Sequence, residues 1–198
     1  MLTNYSVCDG VATQEKVSLF DYSEDYWLNY INLEHTDIAI KLNILRYSLV
    51  EKHCTGDILD IGIGSGEFIK KVRLKAYGYD INPFATQWLK TRNLFLNPYE
   101  DDLSNICAYT MWDVIEHMID PMPLLNKING LLFTSMPIFS DFDNLIVSKH
   151  YKENEHIRYF TFDGLIQFME FAGFCLIEHN KSENTVGRDG IGTFVFQK

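Results

Sequence analysis

The chain lacks most of the features that assign a protein quickly. Its first residues, MLTNYSVCDG, have neither the basic start nor the apolar core of a signal peptide. No window approaches the ~18 consecutive apolar residues of a membrane span. Cysteine is scarce: Cys8, Cys54, Cys107 and Cys175 are widely separated, with no C-x-x-C pair. That pattern excludes a disulfide framework, and Cys107 and Cys175, set in apolar runs, read as buried thiols. There is no long basic run. Lys70, Lys71, Arg73 and Lys75 are the densest cationic group, on what reads as the solvent face of one helix. With 17 basic against 27 acidic residues the net charge is -10, which repels phosphate backbones and argues against a nucleic-acid partner. No repeat or low-complexity tract is visible. These absences together predict a cytoplasmic protein whose partner is a small molecule. They leave the oligomeric state open.

What is present is an ordinary globular mixture: 198 residues, 46% hydrophobic and 14% aromatic. Residues 1–34 are rich in Tyr, Asp and Asn. In HTDIAIKLNILRYSLVEKH, the residues Ile38, Leu42, Leu45 and Leu49 fall at helical spacing. Residues 1–50 are therefore expected to form an N-terminal helical cap or lid, and 51–198 the main domain. After Thr55-Gly56, short apolar runs alternate with longer segments. DILDI, AYGYDI, LFLN, ICAYTMW and GLLFTSMP read as strands, and EFIKKVRLK, FATQWLKTRN, PLLNKI and TFDGLIQFMEFAG as helices. Pro83 suits a first helical position, Thr161 or Asp163 a cap, and Gly173 a stop. FCLIEHN and IGTFVFQK close the chain without a helix between them, as an antiparallel pair would. Such alternation predicts an α/β, Rossmann-like sheet whose ligands bind beyond the carboxyl ends of the strands.

The first strand–turn–helix of that sheet reads ILDIGIGSGEF, with Asp60 ahead of Gly62, Gly64 and Gly66. Glycine permits close backbone approach to a ligand. A dinucleotide fingerprint is G-x-G-x-x-G, whereas here the third glycine comes one residue early and Glu67 takes its place. Glu67 would compete with a pyrophosphate for the helix N-terminus, which argues against a nicotinamide-linked oxidoreductase. Asp80 ends the second strand twenty residues after Asp60, where a carboxylate can accept from both hydroxyls of a ribose. The pocket fits a nucleoside without a diphosphate.

At this point the sequence resembles the class I S-adenosylmethionine-dependent methyltransferases. ILDIGIGSGEF and YGYDINP resemble the first two motifs of that family. YTMWDVIEHMIDP and HIRYFTFDGLIQFMEFAGF resemble a branch similar to the ubiquinone-biosynthesis O-methyltransferases. The likeness covers about residues 50–198. It implies a seven-stranded sheet of order 3-2-1-4-5-7-6 with the last strand antiparallel, and S-adenosyl-L-methionine as cofactor. It further implies that Gly62, Gly64 and Gly66 run under the methionine part, with Asp60 near its amino group. Asp80, followed by Ile81, would hold the ribose, Asp102 would meet the adenine amino group, and Trp112 would complete the cofactor wall or face the acceptor. One departure is that the family's aromatic–Asp pair at the start of the fourth strand is here Ile106-Cys107.

Asp113, Glu116 and His117 lie at i, i+3 and i+4, so a helix there would set all three on one face. A second histidine, His156, sits before the last long helix. Glu116, His117 and His156 could hold a divalent cation, act as an acid–base group, or merely stitch the loop to the sheet. A Glu-x-x-Glu-His pattern with a later His resembles the metal site of small-RNA 2′-O-methyltransferases. The expected activity is methyl transfer to an oxygen or nitrogen of a small molecule. Two alternatives stand beside it: a cofactor-binding regulator or scaffold, and a 2′-O-methyltransferase acting on a nucleic-acid terminus.

Overall fold

The computed structural model describes residues 5–15 and 22–198; the Phe20–Asp21 part of the aromatic-acidic segment lies outside them. The chain opens with a hairpin, β1 (Tyr5–Cys8) and β2 (Val11–Gln14), rather than with helix. Two helices follow, α1 (Glu24–Leu33) and α2 (Asp37–His53), capped by the side chains of Ser23 and Thr36. The alternating part then runs β3 (Asp57–Ile61), α3 (Glu67–Lys71), β4 (Ala76–Tyr79), α4 (Pro83–Lys90), β5 (Ile106–Trp112), α5 (Met122–Lys127) and β6 (Leu131–Phe139). It closes with β7 (Arg158–Thr161), α6 (Phe162–Phe171), β8 (Cys175–Asn180) and β9 (Ile191–Gln197).

The order β4-β3-β5-β6-β9-β8 is the expected 2-1-4-5-7-6, with β9 antiparallel to both β6 and β8. The molecule has the Rossmann-like methyltransferase fold. The expected third strand survives only as a parallel bridge between Gly78 and Phe95, held by Gly78 N–H to the Leu94 carbonyl (2.8 Å) and Leu96 N–H to the Gly78 carbonyl (3.0 Å). Asn97 and the acidic turn after it divert the chain before a strand can extend. At the other end, β6 runs past β9 and pairs through Ile138 and Phe139 with β7, which carries the β1–β2 hairpin. This three-strand extension was not expected from sequence.

Strand alternation divides the core into two faces. Leu59, Tyr109, Met111, Leu132, Phe194 and Phe196 point to one face, covered by α5 and α6. Ile58, Ala108, Phe133 and Val195 point to the other, covered by α3, α4 and the end of α2. α2 is less one-sided than its sequence implied. Only Val50 is buried, and Ile38, from the predicted stripe, is exposed. The cysteines also differ from expectation. Cys54 is buried, but Cys107, next to the bulge that opens β5, and Cys175, on the edge strand β8, are exposed, and all four are free. Among the described residues no helix is long and apolar enough to cross a membrane.

The caps fall where the sequence puts them. Asn82 accepts from Phe84 N–H ahead of Pro83, Thr161 accepts from Gly164 N–H, and Gly173 (φ 87°) ends α6. The hairpin tip seats on that same α6 cap, because Thr161 N–H donates to the Gly10 carbonyl (2.9 Å). A Cβ at Gly164 would collide with that carbonyl. Gly164→Ala should therefore lower unfolding stability by about 1–3 kcal/mol through overpacking. Gly187→Ala meets no neighbour within 4 Å at φ +90° and should cost about 1–2 kcal/mol from backbone strain alone. Urea denaturation of both variants checks the ranking.

Candidate active site

A cavity of about 1100 Å³ opens at the carboxyl ends of β3, β4 and β5, roofed by α1 and α2. Single-ligand pockets span ~300–1,000 Å³, so the space suits two reactants side by side.

Gly62, Gly64 and Gly66 all have positive φ (78°, 53° and 75°). Their roles differ. A Cβ on Gly62 would stand 2.5 Å from Val114, and one on Gly66 would stand 2.8 Å from Trp88. Those two glycines permit packing, and Gly66 does not line the cavity but caps α3. Gly64 faces the cavity, with the Tyr30 ring above it.

Asp60 and Asp80 flank this turn. Asp60 is buried and accepts from Thr110 Oγ1 at 2.6 Å. Burial pushes its carboxyl up to about 7. Asp80 accepts from Asn82 N–H (2.8 Å) and from the backbone of Gly64 and Ile63, which ties the end of β4 to the glycine turn. Burial raises it to about 6 in spite of those bonds. Ile81, 62% exposed, lies at the cavity wall, and Trp112 lines its floor beneath the Arg46 guanidinium (4.9 Å). The expectation for Asp102 is corrected. It is exposed and outside the cavity, accepting from Ser104 N–H and Oγ (both 2.9 Å), and these bonds hold its carboxyl below the usual range. Tyr99, packed edge-on to Tyr79 at 5.8 Å, lines that side instead.

The Asp-x-x-Glu-His segment is not an α-helix. Asp113 takes a left-handed conformation (φ 56°), and residues 115–117 form a single 3₁₀ turn. Asp113 consequently leaves the other two. It accepts from Arg46 Nη2 (2.9 Å) and Arg188 Nη2 (2.8 Å), and these guanidiniums hold its carboxyl low despite burial. Buried Glu183 completes the group, accepting from Arg46 Nε (2.9 Å) and from Arg188. Arg46, Glu183 and Arg188 were missed by sequence reading. Glu183 and Arg188 are five residues apart, but what joins them to Arg46 and Asp113 spans 67 to 137 residues, beyond any local pattern.

Glu116, His117 and His156 do come together: one ligand atom from each lies within 4.8 Å of the others. The Ile157 N–H donates to the Glu116 carbonyl (2.7 Å) and pins the two loops. The two imidazoles pack edge to face at 4.6 Å. His117 Nδ1 bonds the Glu155 carbonyl at 3.0 Å. A carbonyl only accepts, so Nδ1 carries the proton and Nε2 is left with its lone pair. His156 bonds the His150 backbone, while its Nδ1 has no partner. Burial lowers both histidines, His156 to about 3. Glu116 is 2% exposed, and neither carboxylate oxygen has a hydrogen-bond partner. Burial first and then the Asp113 charge raise it well above the carboxylate range. A cluster of three O and N donors with unused lone pairs can accept a proton or coordinate a cation.

Known proteins of solved structure share this architecture. A S-adenosylmethionine-dependent methyltransferase from Thermotoga maritima, described as a possible histamine N-methyltransferase, is 16% identical. It aligns over 89% of this chain and 98% of its own, with a TM-score of 0.62. A putative methyltransferase in complex with the Trm112 methyltransferase activator of Haloferax volcanii is 14% identical, over 91% of this chain and 99% of that one, at 0.63. The glycopeptide N-methyltransferase MtfA, complexed with S-adenosyl-L-methionine, is 9% identical, over 78% of this chain and 86% of its own, at 0.57. At these identities the likeness is one of fold. No curated protein matches the chain. The family model described as "Methyltransferase domain" matches residues 34–179, a span that includes the glycine turn, Asp80 and the Glu116–His117–His156 cluster. The chain belongs to this methyltransferase domain family, and it is an S-adenosylmethionine-dependent enzyme.

Proposed function

We propose that this enzyme moves the methyl group of S-adenosylmethionine to an oxygen or nitrogen of a small-molecule acceptor. In this reading residues 51–198 are the cofactor-binding body and 1–50 the lid. The single observation that carries the proposal is the meeting, in one cavity large enough for two reactants, of the Asp80–glycine turn and the Glu116–His117–His156 cluster. The motifs around Trp112–Pro121 and His156–Phe174 support kinship with the ubiquinone-type O-methyltransferases.

On this proposal Asp80 accepts from the ribose hydroxyls, Ile81 and Tyr99 flank the adenine, and Asp60 and Gly64 meet the methionine portion. An acceptor lone pair attacks the methyl carbon in line, the S–CH₃ bond breaks, and its electrons remain on sulfur. The acceptor's proton passes to the free Nε2 of His117. Holding donor and acceptor in line supplies up to ~7–11 kcal/mol of the acceleration, and the base a further ~10²–10⁴-fold. The unpaired carboxylate of Glu116 beside two imidazole lone pairs favours a second role for the same cluster. Glu116, His117 and His156 would hold a divalent cation, which when bound supplies Lewis acidity at an acceptor oxygen.

Asp80→Ala should weaken S-adenosylmethionine binding by about 100-fold, the loss of hydrogen bonds to a carboxylate worth ~3 kcal/mol. Calorimetry measures it, and unchanged affinity would reject the ribose role. Because burial raises Asp80 to about 6, wild-type affinity should fall as pH drops through that value and the carboxylate gains a proton. His117→Ala should keep cofactor affinity and lose ~10²–10⁴-fold in turnover. Calorimetric titration with Mn²⁺, Mg²⁺ and Zn²⁺ separates the two roles. Heat that Glu116→Gln abolishes, together with turnover lost on chelation, supports the cation. Chelator-resistant turnover leaves His117 as a simple base.

A further inference from the structure

Tyr26 and Tyr30 lie one turn apart on α1, Tyr22 directly precedes its Ser23 cap, and all three line the cavity. Their rings form a continuous ladder, with centroids 5.4 Å and 5.3 Å apart and the Tyr26 and Tyr30 hydroxyls at 3.1 Å. The ladder ends on the glycine turn. Cδ1 of Tyr30 stands 3.2 Å from where a Cβ of Gly64 would be. The ring packs on Gly64, so a ligand laid along that turn runs beside the Tyr30 ring or lifts it.

Three of the cavity's carboxylates lie near the ring, Asp113 among them being paired with Arg46 and Arg188. Asp80, Asp113 and Glu155 all act on Tyr30 electrostatically. The helix carries Glu24 and Asp25 in its first turn and no Lys or Arg. Aromatic faces set among carboxylates attract a cation, above all a weakly hydrated one. The attachment of α1 also allows it to rise. None of its residues is fully buried; Trp27 packs on the core and stacks on Phe84 (6.5 Å), and the helix ends are tied by Asn82 Nδ2 to the Ser23 carbonyl (3.4 Å) and by the Glu34–Lys70 pair (3.0 Å).

We propose that the Tyr30 ring is the lid's contact with the sulfonium of the donor, and that it selects the charged donor over the neutral product. The proposal rests on the methyltransferase reading. Transfer turns a sulfonium cation into an uncharged thioether, so an attraction made before the reaction is absent after it. The ring grips the donor and releases the product, and the roof reads the charge at sulfur without bonding to it.

The test is calorimetric titration of the full chain with three ligands. S-adenosylmethionine carries the sulfonium, sinefungin carries an ammonium in its place, and S-adenosylhomocysteine is neutral there. Tyr30→Leu should weaken the two cationic ligands by about 5- to 30-fold and the neutral one by less than about twofold. Tyr30→Phe keeps the ring and should stay within about twofold of wild type for all three. A Tyr30→Leu variant that weakens all three ligands equally, or none, overturns the proposal. If Tyr30→Phe behaves like Tyr30→Leu, the hydroxyl and not the ring is responsible, and the proposal also fails. Absence of binding by all three ligands to the wild-type protein would instead overturn the methyltransferase reading, and this one with it.

Discussion

A closed ring of four charges, Arg46–Asp113–Arg188–Glu183, sets the geometry on which the cavity depends. Arg46 comes from α2, Asp113 from the end of β5, and Glu183 and Arg188 from the turn between β8 and β9. Two positive and two negative groups balance, and Arg46 also donates to Ser135 Oγ on β6 (3.0 Å). Glu183 and Arg46 are largely buried, whereas Asp113 and Arg188 stay about a quarter exposed, and each charge has two partners in the ring. The ring ties the cap helix α2 to the strand ends, and it engages Asp113 in its left-handed conformation. It also reaches the reactive cluster, because the Asp113 charge adds to the burial that keeps Glu116 from ionising.

The two roof helices are therefore held by different physics. α2 is tied to the body by buried charge and by Val50 in the core. α1 has no fully buried residue and meets the core chiefly through Trp27. Local stability follows burial, so α1 belongs to the low end of the range from which mobile elements are drawn. One wall of the cavity is tied in by buried charge, the other by one partly buried tryptophan and contacts at the helix ends. This division matches the needs of a site that admits one reactant of fixed shape and another of its own choosing.

Much of the body was legible in sequence because its signals are short-range. A glycine turn after a buried strand, an acid closing the next strand, Pro83 after a capping Asn and Gly173 after a helix each act within a few residues. The antiparallel closing pair followed from the absence of a helix between two strands. Most departures arose where distant contacts decide, and Asp102 is the local exception. Asp102 was assigned by position in a motif, but Ser104, two residues on, captures its carboxylate. Helical periodicity in Asp113–His117 gave way where Asp113, at positive φ, pairs with two arginines from remote segments. The hairpin at residues 5–14 pairs with β7, whose existence depends on β6 outrunning β9, and no local pattern announces that. Glu116, His117 and His156 met as their chemistry suggested, although the local structure carrying them is a 3₁₀ turn.

The three carboxylates that line the inner cavity differ in how burial is offset, and the difference has a chemical meaning. Asp60 receives a hydroxyl hydrogen bond, and Asp80 several backbone N–H bonds, so each ionises within reach of neutral pH. Glu116 has no hydrogen-bond partner of good geometry at either oxygen, and it meets two imidazoles, of which His117 turns its other nitrogen to the Glu155 carbonyl. An unsatisfied buried polar group costs ~1–3 kcal/mol, more when charged, and natural structures keep very few of them. His117, its tautomer set by the Glu155 carbonyl, presents a lone pair and not a proton, so it cannot satisfy a carboxylate at Glu116. A partner that brings positive charge would do so: either a proton, which keeps the acid neutral, or a cation shared among all three side chains. In both cases the cluster is complete only with something it does not itself contain, and that incompleteness, beside a cavity with room for a second reactant, is the reason to look for the chemistry there.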